Sequence, residues 1–174
     1  MHAAPLAATL CDVASAPELA IDLPPLPRDP HHEQALRLAA EHRWNWAQRE
    51  LERATRAARD ESALADLTSV REVRRQLRVL RKWPRDVPAH LALGRCYFEL
   101  GLGADAEDTF HRVLVLAPEE PAAPYFLTME YAFRGEWSAA EDCYARAGAL
   151  APDLPPFADW LNEYGLADGT APPR

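Results

Sequence analysis

The sequence predicts an all-α protein built as an array of antiparallel helix pairs. Three observations carry that expectation. Only seven of the 174 residues are glycine while sixteen are proline, a balance that suits helices punctuated by proline better than strands joined by tight turns. Neither residue occurs from His31 to Trp83, so that whole stretch is open to helix. Finally, the chain repeats itself. Laying residues 87–120 over 121–154, an offset of 34 with no gap, puts Leu93 on Leu127, Tyr97 on Tyr131 and Gly101 on Gly135. The same offset puts Ala106 on Ala140, Phe110 on Tyr144, Val113 on Ala147 and Pro118 on Pro152, the last pair inside the strings LAPEE and LAPDL. A fixed period of this kind marks stacked units that cannot bury their apolar faces alone.

Residues 1–30, ending in LPPLPRDP, read as an extended or partly helical arm. Residues 31–86 read as degenerate helical repeats. His31–His42 is their first helix, with Leu36, Leu38 and Ala39 as packing residues. Trp44–Ala54 (WNWAQRELERA) is similar to Trp137–Ala147 (WSAAEDCYARA), at a separation of 93 that breaks the period. A short helix over Asp60–Leu67 and another over Val70–Trp83 follow. Ser69 and Glu72 have the spacing of a capping box. Three or four helices are expected from His31 to Trp83, with breaks near Arg43–Asn45, Asp60–Ser62 and Thr68–Ser69; the alternative is a single long helix or coiled coil, although no clean heptad runs through the stretch. Residues 87–154 hold two well-matched units. Beyond Pro155-Pro156, Phe157, Trp160, Leu161 and Tyr164 share one helical face, as a capping helix over 155–165 requires. Residues 166–174 are expected to be a disordered tail.

The matched positions resemble the tetratricopeptide repeat. That family places Leu-Gly, Tyr, a small residue, Ala, an aromatic, Ala and Pro at fixed positions of a 34-residue unit. Leu93-Gly94, Tyr97, Gly101, Ala106, Phe110, Val113 and Pro118 fill them once, and Leu127-Thr128, Tyr131, Gly135, Ala140, Tyr144, Ala147 and Pro152 fill them again. The departures are His90 and Pro124 where Trp is usual, Thr128 for Gly, and Val113 for Ala. The resemblance implies a right-handed superhelical array with a concave face made by the first helix of each pair. Its groove positions are Pro88, Leu91, Arg95, Phe98 and Glu99 in one unit and Ala122, Tyr125, Met129, Ala132 and Phe133 in the next. This strip is unusually apolar. It is read as a groove for a peptide or helix of a partner protein, or as a surface covered by the N-terminal arm or by repeat packing. The lysine and asparagine clamp of the family's chaperone-tail receptors is not matched; only Arg95 is present. Length, acidity and repeat number are also similar to chaperones of type III secretion translocators.

Charge is unevenly spread. The formal total is −8, so bulk attraction to nucleic acid is not expected. Residues 43–85 nevertheless carry twelve bases against six acids, net +6, and residues 86–174 five bases against fifteen acids, net −10. Arg71, Arg74, Arg75, Arg78, Arg81, Lys82 and Arg85 fall on one helical face, opposite Val70, Val73, Leu77 and Leu80 as the expected buried face. The stripe reads as a docking site for an anionic partner (an acidic protein, RNA or anionic lipid). It also reads as a solvated face, or as one that meets the acidic half of a second copy, which would make the chain a self-assembling scaffold.

Site chemistry is sparse. Cys11, Cys96 and Cys143 are too few and too scattered for a disulfide framework or a zinc site, and Cys96 and Cys143 sit beside signature aromatics as core residues. No basic residue precedes the short apolar run Leu6–Leu10, and Leu10 is large for a lipoprotein cleavage site before Cys11. His31, His32 and His42 do not have ligand spacing. Glu107-Asp108 and Glu141-Asp142 recur at the repeat offset as a solvated face. No apolar run reaches the roughly 18 residues of a membrane span. The expectation is a cytoplasmic protein-binding adaptor or chaperone with no cofactor, no metal and no catalysis. The alanine, arginine and proline bias suggests a bacterial source.

Overall fold

Asp29 caps the first helix, its carboxylate accepting the His31 N–H at 2.8 Å, and Pro30 opens the first turn where a missing N–H costs nothing. The computed structural model describes residues 29–58 and 61–166; residues 1–28 of the arm and 167–174 of the tail lie outside them. Eight helices occur among the described residues. They are α1 (Pro30–Ala40), α2 (Trp44–Ala58), α3 (Glu61–Lys82), α4 (Val87–Glu99), α5 (Gly103–Leu116), α6 (Ala122–Phe133), α7 (Trp137–Leu150) and α8 (Phe157–Glu163). Asp86 repeats the device of Asp29, accepting the Ala89 N–H at 2.9 Å ahead of α4. The result is an all-α, tetratricopeptide-like array: α1 pairs with α2, α4 with α5 and α6 with α7, while α5 and α4 both touch α6.

The pairs are folded back by one repeated turn. His42, Gly101 and Gly135 hold φ at 55°, 71° and 76°. The N–H of the next residue then reaches back five residues along the chain: Arg43 to the Leu38 carbonyl at 2.8 Å, Leu102 to Tyr97 at 2.8 Å and Glu136 to Tyr131 at 2.9 Å. This is the Schellman closure, which satisfies carbonyls that the helix end leaves orphaned. Five residues past each turn stands an alanine with no exposed surface: Ala47, Ala106 and Ala140. Nine residues past stand Leu51, Phe110 and Tyr144, all buried. The α1–α2 pair is therefore a unit in the same register as the two that follow. Its turn precedes the next by 59 residues instead of 34 because α3 is inserted between them.

Close helix approach explains Gly94. A Cβ there would stand 2.7 Å from the Phe110 ring, so α4 and α5 can pack at this distance only without a side chain. At the equivalent place on α6, Thr128 is buried and turns its hydroxyl into its own helix, donating to the Pro124 carbonyl at 2.9 Å.

Helix α3 differs from its sequence reading. The break expected at Thr68–Ser69 is absent, and one 22-residue helix runs from Glu61 to Lys82. Ser69 does not cap. Its hydroxyl donates to Glu99 Oε2 at 2.7 Å, across to α4, and Thr68 donates to the Leu64 carbonyl within the helix. With both hydroxyls engaged and no Gly or Pro nearby, nothing terminates the helix. It packs against α2 on one side and α4 on the other, so Ser69 and Gln76 are buried with Val70 and Val73. Leu80 is half-buried, but Leu77, expected inside, is 38% exposed. At the far end Leu166, assigned to the disordered tail from sequence, is 1% exposed and closes α8 through Gly165 at φ 66°. The remainder of that tail lies outside the described residues.

The turns give a direct test. Adding a Cβ at Gly101, Gly135 or Gly148 meets nothing within 4 Å, so packing does not separate them. Gly101→Ala and Gly135→Ala should each cost about 1 kcal/mol, the strain of an L-residue in the left-handed region. Gly148→Ala, inside α7, should add up to about 1 kcal/mol. Urea midpoints moving in these opposite directions are the expected outcome.

Candidate protein-binding surface

The first helices of the two matched units, α4 and α6, carry the residues that sequence assigned to the groove. Phe98 and Phe133 meet, their ring centroids 5.7 Å apart at a 31° tilt, and both are half-buried. Leu91 is also half-buried. Arg95 and Glu99 form an i,i+4 pair at 3.5 Å with side chains 50% and 42% exposed, a geometry that adds little to stability. Glu99 also accepts the Ser69 hydroxyl, which ties this polar edge to α3.

Tyr125 and Met129 do not join them. They are 5% and 3% exposed. The Tyr125 hydroxyl accepts the Trp160 indole N–H at 3.1 Å and lies 3.2 Å from the Tyr164 hydroxyl. The ring of Trp160 also lies 5.5 Å from Tyr144 and 4.9 Å from Tyr164, and the Tyr144 hydroxyl donates to the Pro155 carbonyl at 2.7 Å. Helix α8 thus covers the surface that Tyr125 would have shown. The physical reason is positional: a single short helix, not another helix pair, follows α7 among the described residues, and it closes the outer face of α6 and α7. Nine of the twelve residues of α6 are buried, and a helix apolar on all sides belongs inside. The surface left for a ligand is Leu91, Arg95, Phe98, Glu99 and the edge of Phe133.

Three titratable groups, on α5, α4 and α7, are shifted by their surroundings. Glu107 is not the solvated residue its repeat spacing suggested. It accepts the Tyr131 hydroxyl at 2.8 Å and the Arg134 guanidinium at 2.7 Å, joining α5 to the end of α6, while Glu141, one repeat on, is exposed. Burial pushes the Glu107 carboxyl up, but those two donors outweigh it and hold it below the usual glutamate range. Cys96 is 2% exposed, and burial, reinforced by the Glu99 charge, pushes its thiol up to about 12. Cys143 is half-buried and shifted the same way by burial and then by Asp142.

The basic stripe splits into two halves. Its first half serves the fold. Arg71 pairs with Glu52 at 3.1 Å, Arg74 donates to Gln48 Oε1, and Gln48 in turn donates to Glu52 at 2.8 Å, so α2 and α3 are laced together. The Gln48 and Arg71 hydrogen bonds hold the Glu52 carboxyl below its usual range. Arg75 pairs with Glu72 at 3.3 Å. In the second half, Arg78, Arg81, Lys82 and Arg85 are exposed and have no acidic partner among the described residues. Sequence reasoning overlooked Trp46, half exposed on α2, with the guanidinium carbons of Arg43 and Arg49 5.9 and 5.2 Å from its ring centroid. The available signal was its spacing, three residues from each arginine on one helix face.

The histidines are engaged separately. His31 Nδ1 lies 2.8 Å from Glu50, and buried His32 places Nε2 2.6 Å from Asp66. Among the described residues no group of three metal-ligating side chains is close enough to hold an ion, and no helix is long and apolar enough to cross a membrane.

No protein-family model and no curated protein matches the chain. Solved structures do. MamA MSR-1 matches at 20% identity and a TM-score of 0.42, over 69% of this chain and 74% of that one. MamA AMB-1 matches at 18% identity and a TM-score of 0.43, over 75% of this chain and 76% of that one. These are distant likenesses of shape, and no residue role is carried over from them.

Glu107 yields a prediction with a sign. A carboxylate whose folded pKa lies below its unfolded value stabilises the fold above the unfolded pKa, about 4.3, and loses that contribution as pH falls through the folded one. Glu107→Gln should therefore cost roughly 1 to 2 kcal/mol at neutral pH, from two weakened hydrogen bonds to a charged group. It should also flatten the decline of the urea midpoint below about pH 4. Parallel pH profiles for the variant and the parent would show that the Glu107 network is not stabilising.

Proposed function

We propose that this chain is a protein-interaction adaptor that holds a peptide or helix of a partner protein against α4 and α6, acting by binding and not by catalysis. The observation that carries the reading is the Phe98–Phe133 pair, left half-buried beside Leu91 and edged by exposed Arg95 and Glu99. Aromatic area ringed by charge is the composition of an interface hot spot. The loss of Tyr125 and Met129 to the interior shortens the strip, which favours a short segment over a long helix. A narrower reading, as a bacterial cytoplasmic chaperone similar to those of type III secretion, rests on length, acidity, repeat number and composition alone.

Affinity capture from a native lysate, with the parent and with Phe98→Ala combined with Arg95→Glu, tests the reading. The variant should lose the bound proteins while its far-ultraviolet circular dichroism is unchanged. Arg95→Glu alone, at an exposed position, should weaken capture without touching the core. Undiminished capture by both variants would overturn the assignment of this face.

A further inference from the structure

The start of α2 and the middle of α3 enclose a second, separate cleft of about 360 Å³. Arg43, Trp46, Arg74, Leu77 and Arg78 line it, with His42 at the turn, and no acidic side chain does. The nearby acids are already engaged: Glu52 by Arg71 and Gln48, Asp105 by His42 at 3.5 Å, and exposed Glu41 by Arg43 at 3.4 Å. Arg78 uses its Nε on the Arg74 carbonyl at 3.2 Å, which orients its guanidinium and leaves the outer nitrogens for a ligand. Leu77 and Trp46 add two of the few large apolar side chains exposed among the described residues, at 38% and 50%. The cleft is therefore lined by cationic and apolar side chains together.

Which anion fits follows from Trp46. A nucleobase needs an open aromatic face to stack on. The guanidinium carbons of Arg43, just before α2, and Arg49, within it, lie 5.9 and 5.2 Å from the centroid of this ring, so a stacking base would have to compete with two guanidinium groups for it. The total charge of −8 also repels a long polyanion. A short acidic segment meets neither obstacle: its carboxylates match the guanidinium fork, and an apolar residue among them matches Leu77. We propose that this cleft docks an acidic peptide segment of a partner protein, with carboxylates on Arg43 and Arg78 and one apolar side chain on Leu77. The site is independent of the α4–α6 surface.

Fluorescence anisotropy at low salt, with the full chain and a short fluorescein-labelled peptide of alternating Glu and Leu, tests the proposal. The peptide should bind saturably and weaken as salt rises, and its Gln–Leu counterpart should not bind. Arg43→Glu with Arg78→Glu should weaken binding by about tenfold or more. Arg112→Glu with Arg146→Glu carries the same charge change on α5 and α7, where both arginines are exposed, and should leave affinity within about twofold. Phe98→Ala should leave it unchanged, which separates this site from the adaptor surface. Circular dichroism and urea midpoints confirm that each variant is folded, and Arg78→Gln serves if the double variant is not. Equal binding by the Arg43/Arg78 variant, equal binding of the Gln–Leu peptide, or tighter binding of oligothymidylate would each overturn the proposal. So would parent oligomers, seen by sedimentation velocity, that dissolve in the Arg43/Arg78 variant, since the occupant would then be a second copy.

Discussion

Each helix pair in this chain depends on a single residue held at positive φ, where the backbone turns back and the first carbonyls of the closing turn find donors. The same closure appears at His42, Gly101 and Gly135, and again at Gly165 to seat the cap. Because the turn fixes where the second helix starts, it also fixes which residue meets the partner helix. That is why a fully buried alanine recurs five residues later in all three pairs. At His42 the geometry is kept although the glycine is not. Its ring lies edge-on to Trp44 at 5.6 Å, and Trp44 stacks on Tyr97 of α4 at 5.9 Å. Side-chain contacts there offset a backbone conformation that glycine adopts without strain.

The inserted helix α3 shapes the rest of the molecule. It separates the first pair from the second over most of their length, and the Trp44–Tyr97 stack keeps the two in touch past it. Packed on both sides, α3 presents an outer face, and the cations that have no acidic partner among the described residues lie there. The polar edge of the α4 surface is anchored to it as well, through Ser69 and Glu99. The α4–α6 surface and the α2–α3 cleft therefore share one structural support while differing in chemistry.

The repeat offset made the two matched pairs legible, because small and aromatic residues at fixed spacing dictate helix approach directly. The first pair was half legible. Its similarity to the last, at a separation of 93, corresponds to the distance between turn residues His42 and Gly135. The inserted helix hid the period, and a positive φ at histidine carries no sequence signal. The Thr68–Ser69 break was misread because hydroxyl residues cap only when their oxygens are free to, and here they bond to Leu64 and Glu99. The groove was misread at Tyr125 and Met129 because position in a repeat does not say what lies over it. The aromatic face of α8 was identified from sequence, but its resting place on Tyr125 is a tertiary fact. Trp46 went unnoticed because helices α2 and α3 make the cleft together, and neither sequence segment shows it alone.

The buried thiol of Cys96 sets how the chain behaves toward electrophiles. With its proton held until about pH 12, almost none of it is present as the reactive thiolate under ordinary conditions. An alkylating reagent reaches this sulfur only when α4 lifts away from its neighbours. The rate of adduct formation at Cys96 is therefore a built-in clock for transient opening at the middle of the array.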